Sequence, residues 1–314
     1  MKITKVSNYQ LHSTKNNQAK NLSFDGIKNL NSLEKGFKNN LRIVFADVDG
    51  TLSASDDFIT KRTLDAIEYL HEKNVPIVLT TARCYSDTLP IINQFSHSPN
   101  YTIALQGGEL VNKNSESIYT NSISKRVGKS LTKWFKSIRA NDRQSHLIMY
   151  FDDQPYSVSK FQFPWKSNVP VERVKSFEDL FEQNKRLQKA AIFKLNVAAD
   201  PEYSQLDVIE SFESARVPDL ALKPSGSAML EFQNKWVTKD KAINFLLKVL
   251  RIDPKNAMVI GDSANDIEMF DFIRSKNGLA LAMGNAKDFV KAHANAVVDD
   301  VNSDGFAEAV SYLF

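Results

Sequence analysis

Six short apolar runs, at residues 43–46, 75–79, 101–105, 257–260, 279–282 and 296–298, alternate with helix-period segments over about 60–73, 85–95, 238–251, 264–274 and 286–293. Consecutive apolar residues without polar alternation suit strands buried on both faces, the condition of a parallel sheet covered by helices on each side. The pattern therefore predicts a doubly wound α/β core. It also says where chemistry should lie, because open parallel sheets bind ligands just beyond the carboxyl ends of their strands.

Three of the runs end in reactive or phosphate-binding residue types. Ile43-Val44-Phe45-Ala46 leads straight into Asp47-Val48-Asp49-Gly50-Thr51, placing two carboxylates one residue apart at the rim. An Asp-Gly turn is the plainer reading of the same residues. Met258-Val259-Ile260 leads into Gly261-Asp262-Ser263-Ala264-Asn265-Asp266. Asp262 or Ser263 would also cap a helix running through Ile267, Met269 and Phe270, and one segment can serve both ends. If neighbouring strands bring Asp47, Asp49 and Asp262 together, the like charges repel unless a divalent cation sits among them. Carboxylate oxygens suit magnesium. Thr80-Thr81-Ala82-Arg83 closes a third run with a hydroxyl and following N–H groups, which also reads as a cap or local turn. Lys239, in Trp236-Val237-Thr238-Lys239-Asp240-Lys241-Ala242, opens an amphipathic helix carrying Ile243, Phe245, Leu246, Val249 and Leu250, where a solvated lysine is the ordinary case.

Taken in order, these four segments resemble the four motifs of the haloacid dehalogenase (HAD) superfamily of phosphohydrolases, over about residues 41–314. Ala282-Met283-Gly284-Asn285-Ala286 and Asn302-Ser303-Asp304-Gly305 resemble further signatures of its Cof-type, class IIB branch. The resemblance implies an HAD-like, Rossmann-like core and a magnesium-dependent phosphatase of small phosphorylated metabolites, either sugar phosphates or a cofactor phosphate. By the same resemblance Asp47 is the nucleophile, forming an aspartyl-phosphate. Asp49 is the general acid and then the base, starting protonated because neighbouring acids crowd it. Magnesium is implied on the Asp47 carboxylate, the Asp49 backbone carbonyl and Asp262, with Asp266 supporting that shell or orienting the lysine. Thr81 and Lys239 are implied to bind phosphoryl oxygens, and Arg83 and Asn265 match positions near the phosphate or substrate. Two other readings stay open, a phosphosugar mutase and a catalytically idle ligand-binding protein of the same fold. Ala82, Trp236 and Asp240 each stand where the family usually has glycine. For Trp236, packing is expected over a role at the site entrance.

Residues 113–232 interrupt the alternating core, leaving 41–112 and 233–314 as its two parts. This insertion resembles the inserted α/β cap domain of class IIB proteins, and its own elements are expected near 147–151, 156–160, 189–197, 203–214 and 228–232. Phe161, Phe163, Trp165 and Lys166 are candidates to line the site or to form a core of their own.

Residues 1–40 carry seven lysines against Asp25 and Glu34, a balance of +5 that leaves −2 for the other 274 residues of a chain totalling +3. This basic, polar arm lacks the apolar segment of a signal peptide and the arginine-rich pattern of a transit peptide, and is expected to be disordered or loosely docked. No nucleic-acid role is expected, since aromatic and basic residues do not interleave along it. Cys84 is the only cysteine, which excludes an intramolecular disulfide and a cysteine-rich zinc site. No apolar stretch reaches the ~20 residues of a membrane span. The expected setting is cytoplasmic, with a small phosphorylated metabolite as partner.

Overall fold

The computed structural model describes residues 30–33, 35–37, 40–54, 57–139, 146–151, 153–160, 169–183, 191–196, 205–225 and 229–314. The first stretch holds β1 (Ile43–Asp47), α1 (Lys61–Glu72), β2 (Ile77–Thr80), α2 (Tyr85–Ile92), β3 (Tyr101–Ala104), β4 (Glu109–Asn112) and β5 (Ser117–Thr120). The middle holds α3 (Lys125–Arg139), β6 (His146–Phe151), β7 (Gln154–Ser157), β8 (Glu172–Arg173), α4 (Phe177–Gln183), β9 (Ala191–Asn196), α5 (Gln205–Ala215), β10 (Leu220–Ser225) and β11 (Met229–Asn234). The last stretch holds α6 (Lys239–Leu250), β12 (Ala257–Gly261), α7 (Ile267–Ser275), β13 (Leu279–Ala282), α8 (Asp288–Lys291), β14 (Ala296–Val297) and α9 (Gly305–Leu313).

The strands form two sheets, one ordered β14-β13-β12-β1-β2-β3-β4-β5 and the other β10-β11-β9-β6-β7-β8. From β14 through β3 the first sheet is parallel. Its strands alternate between two apolar layers, which is why their sequences read as unbroken apolar runs. Val44, Ala46, Leu79, Met258 and Ile260 face a cluster with Ile67 and Leu70 of α1 and Phe306, Val310 and Leu313 of α9. Ile43, Phe45, Val78 and Val259 face the opposite cluster with Ile243 and Leu246 of α6 and Met269, Phe270 and Ile273 of α7. The doubly wound α/β core predicted from the sequence is therefore present.

Beyond β3 the chain reverses through Leu105, Gln106 and Gly107, all with positive φ, and β4 and β5 pair antiparallel at the sheet edge. A side chain at Gly107 would overlap the Thr238 carbonyl, so this reversal packs directly against the segment leading into α6. The hairpin extends the first sheet past the expected boundary at 112. The short strand β5 carries polar residues and an exposed Ile118, which hid it from a search for apolar runs.

The second sheet is antiparallel except for the β7–β8 pair. One of its faces is apolar: Leu147, Met149, Phe151, Leu230 and Phe232 pack beneath Trp134 and Phe135 of α3, Phe177 and Phe181 of α4, and Val208 and Phe212 of α5. The two chain crossings between the sheets are tied together, since Asn234 Nδ2 donates to Asn121 Oδ1 at 3.0 Å and to the Ser122 carbonyl at 3.2 Å. Pro224 explains why β10 escaped the sequence reading. A residue without an N–H is tolerated at a sheet edge, and β10 lies at one. The aromatic group at 161–165 and Lys166 lie outside the described residues, as do residues 1–29 of the arm. The described part of the arm forms short 3-10 turns at Leu30–Ser32 and Lys35–Phe37, with Leu30 buried and Leu33 and Phe37 packed on the α1/α9 layer.

Candidate active site

β1 lies between β12 and β2, so the residues ending these three strands share one rim. Asp47 is the last residue of β1, in register with Thr80 of β2, while Ala46 is in register with Ile260 of β12. Lys239, the first residue of α6, points into this rim and is only 1 % exposed. Its ammonium donates to Asp47 Oδ1 at 2.5 Å and to Asp266 Oδ1 at 2.7 Å. The ordinary solvated lysine is thus not what stands here. Burial alone would favour the neutral amine, but Asp266 and Asp47 outweigh it and hold the Lys239 pKa above its usual value. Burial also pushes the Asp47 carboxyl well above the usual carboxylate range against the pull of Lys239, with Asp266 and Asp49 adding to the rise.

Asp47, Asp262 and Asp266 each offer an oxygen within 4.8 Å of the others. Asp266 is fully occupied: besides Lys239, its Oδ2 accepts from Asp262 N at 3.1 Å and Ser263 N at 3.0 Å. Gly261 is required beside it, because a Cβ there would collide with the Asp266 carboxylate. Asp262 differs. Its Oδ2 accepts from Asn285 Nδ2 at 3.1 Å, but its buried Oδ1 has no hydrogen-bond partner. Burial pushes the Asp262 pKa up to about 6, with Asp266 contributing. A buried acceptor left open among hard oxygen donors fits a divalent cation, and magnesium is the ion that such donors suit. Asp47 and Asp262 are the carboxylates free to hold it, with Asp266 steering Lys239 and the Asp262 backbone.

Gly50 adopts a φ of +83°, and a side chain there would overlap the Asp262 carboxylate. The turn after β1 and the turn after β12 therefore touch through backbone and acid. Asn285 joins them: Nδ2 also donates to the Gly50 carbonyl at 2.9 Å, and Oδ1 accepts from Val301 N at 3.0 Å. Asn285 falls in the Ala282–Ala286 signature, where its local sequence assigns it no role. Only the fold shows that one side chain bridges three loops.

Asp49 sits differently from its expected setting. The resemblance sets it among crowding acids; here both of its oxygens accept from Arg83, Oδ2 from Nε at 2.9 Å and Oδ1 from Nη2. The same guanidinium pairs with Asp57 and donates to the Asp87 carbonyl at 3.3 Å. Nothing in the local sequence marks Asp57 for this role. Arg83, expected to bind phosphate or substrate, here grips the two acids. Thr81 is fully buried, and its hydroxyl accepts from Arg83 N at 3.1 Å. Asn265 lies on the rim, with Oδ1 accepting from Ser263 Oγ at 2.6 Å.

The glycine replacements are accommodated without strain. Neither Ala82 nor Asp240 has a positive φ, and Asp240 lies in the first turn of α6, where a negative charge complements the helix dipole. Packing was expected for Trp236, but the ring is 58 % exposed, with the ammonium groups of Lys235 and Lys241 at 5.3 and 5.1 Å from its centroid. Cation–π contacts at the surface hold it, not a core.

The haloacid dehalogenase-like hydrolase family matches residues 44–310, nearly the whole described fold. The chain belongs to this family. As a member of the HAD family it is a phosphoric monoester hydrolase. It is 24 % identical over 272 residues to a Bacillus subtilis protein named 5-amino-6-(5-phospho-D-ribitylamino)uracil phosphatase YcsE, covering 87 % of this chain and 95 % of that one. Among solved structures, TM0651 from Thermotoga maritima superposes with a TM-score of 0.73 at 24 % identity, covering 87 % of this chain and 98 % of the other. The HAD subclass IIB sugar phosphatase BT4131 superposes with a TM-score of 0.67 at 22 % identity, covering 86 % and 98 %. No helix among the described residues is long and apolar enough to cross a membrane.

Proposed function

We propose that this HAD phosphatase is magnesium-dependent and hydrolyses small, hydroxyl-rich phosphate monoesters, sugar or polyol phosphates above all, through an aspartyl-phosphate on Asp47. The observation that carries the reading is the buried Asp47 at the end of β1, bound to a buried Lys239 and sharing an acidic cluster whose Asp262 keeps an open oxygen. Bound to Asp47 and Asp262, magnesium would supply positive charge to offset the phosphoryl oxygens.

The chain's own groups account for the rest. Asp47 Oδ attacks phosphorus in line as the ester oxygen leaves. Lys239 stabilises the oxygens that gain charge, and Thr81 offers its hydroxyl and neighbouring N–H groups to them. Asp49 protonates the leaving alkoxide and then removes a proton from the water that attacks phosphorus and frees Asp47. Because Arg83 occupies both Asp49 oxygens, this work requires Arg83 to loosen or turn toward the incoming phosphate.

The leaving group would meet the second sheet, residues 113–232 acting as a cap. Strand alternation puts Glu231 and Gln233 on the face opposite the apolar layer, and Glu231 shares a cross-strand row with Ile148. That face meets the core, because Ile148 and Tyr150 pack with Cys84, Ala104 and Leu105. Glu231 and Gln233 are 2 % and 1 % exposed, and Gln233 Oε1 has no hydrogen-bond partner. Buried polar groups on this face suit hydroxyl donors better than an apolar leaving group. The names of YcsE, a 5-amino-6-(5-phospho-D-ribitylamino)uracil phosphatase, and BT4131, a sugar phosphatase, agree with that chemistry. The test is phosphate release from a panel of polyol, sugar, aryl and amino-acid phosphates, with magnesium and with EDTA. Metal-dependent release ranked toward polyol phosphates supports the reading; a metal-independent reaction, or a preference for aryl phosphates, contradicts it.

A further inference from the structure

The helix α2 begins immediately after the Thr81–Arg83 turn, and its first N–H groups have no intrahelical acceptor. Cys84, at the N-cap, does not cap the helix with its side chain. The acceptor comes instead from the other sheet. Asp153, in the turn between β6 and β7, accepts from Tyr85 N at 2.9 Å through Oδ1, and through Oδ2 from Ser86 N at 3.1 Å and Ser86 Oγ at 2.9 Å. A cap is ordinarily supplied by the residue next to the helix. Here it lies 67 residues away from Ser86 and on the opposite unit. Its backbone is held at a φ of +70°, which turns the carboxylate out of the hairpin toward α2.

Two further contacts give this bond a reach beyond packing. Around it Cys84, Ala104 and Leu105 of the core meet Ile148 and Tyr150 of β6, with Val171 beside them. Within the same first turn, the Asp87 carbonyl accepts from Arg83 Nη1, and Arg83 in turn holds Asp49. A chain of bonded groups therefore runs from Asp153 through the first turn of α2 to Arg83 and Asp49.

We infer that Asp153 is a positioning residue: it clasps the inserted unit closed against the core and, by fixing the first turn of α2, sets Arg83 against Asp49. When the clasp is released, the inserted unit lifts from Cys84 and the first turn of α2 frays. The coupling to Asp49 rests on the function proposed above; the clasp itself does not.

Cys84 makes the clasp measurable, because it is the only cysteine in the chain and only 2 % exposed beneath Ile148 and Tyr150. The rate at which it reacts with dithionitrobenzoate in the native, full-length protein reports opening of this seam. Asp153→Ala removes both acceptors and is expected to speed labelling about tenfold, with Ser86→Ala, which loses only the hydroxyl bond, speeding it about twofold. The acceleration should depend only weakly on urea, the mark of local opening, since global unfolding rises steeply with denaturant. Asp153→Ala should also change kcat several-fold for a polyol phosphate and a small aryl phosphate alike, because Asp49 serves both, and a kcat unchanged for both would remove the coupling to Asp49. Labelling as slow as in the unaltered chain overturns the inference. So does acceleration that carries the full urea dependence of global unfolding, because Asp153 would then be a stabilising contact only. A chain that shows clasp-dependent labelling but releases no phosphate keeps the clasp and discards the proposed function.

Discussion

The two sheets bury their residues in contrasting ways. In the parallel sheet both faces are apolar, and the charged groups gather beyond the strand ends, where Lys239 pairs with Asp47 and Asp266. In the antiparallel sheet one face is apolar, and the other carries buried polar groups along the strands themselves, Ser157, Glu231 and Gln233 among them. The first arrangement fixes a few groups rigidly at one place, as phosphoryl transfer needs. The second spreads hydrogen-bonding groups over a surface, as the proposed selection among leaving groups would need.

The largest expected effect lies at the rim. Removing the ammonium in Lys239→Met leaves Asp47 and Asp266 buried without a counter-charge, a loss of about 3–5 kcal/mol where a buried ion pair is broken. Thermal denaturation should show a clear fall in Tm, and phosphate release should vanish with it. A variant as stable as the parent would mean that the rim is not the rigid charge cluster described. On the other sheet, Gln233→Leu keeps side-chain volume but removes the open acceptor. KM for polyol phosphates should rise about tenfold, in line with the loss of one or two buried hydrogen bonds, with aryl phosphate turnover little changed. An equal loss for both substrates would erase the contrast between the sheets.

A smaller effect concerns pH. The Asp262 carboxyl, ordinarily at 3.8, stands at about 6 in the folded chain, so the native state binds its proton more tightly than the unfolded state does. Stability of the metal-free protein should therefore fall as pH rises from 3.8 through about 6, and burial of Asp47 adds to the same trend. Magnesium must displace that proton, so its affinity should weaken about tenfold per pH unit below about 6. Thermal denaturation without metal and calorimetric magnesium titrations, each at several pH values, check the two signs. An affinity flat across this range would remove Asp262 from the metal site.

The same contrast governs what could be read from the sequence. A strand buried on both faces announces itself as an apolar run, and a functional group at its end stands out against that run. Asp47, Thr81 and Asp262 were legible for this reason, and the helix of Lys239 was legible from its period. Strands half polar and half apolar, such as β10 with Pro224 and β5 with its exposed Ile118, carry no such signal. Helices α3 and α9 carry helical spacing, in Val127, Leu131, Phe135 and Ile138 and in Phe306, Ala309, Val310 and Leu313, but stand outside the helices expected from the sequence. Asp57, Asn285 and Asp153 act across long sequence separations, through Arg83, Gly50 and the first turn of α2. Their roles depend on which loops the fold brings together, and local sequence does not encode that.

The claim that Asp47 is the nucleophile is tested most directly by trapping its acyl phosphate. Asp49→Asn should slow hydrolysis of the intermediate. Quenching this variant with borohydride during turnover of a polyol phosphate in magnesium should convert Asp47 to homoserine, detected by peptide mass, only when substrate is present. An unmodified Asp47 during demonstrable turnover, or reduction at a different carboxylate, would contradict the account.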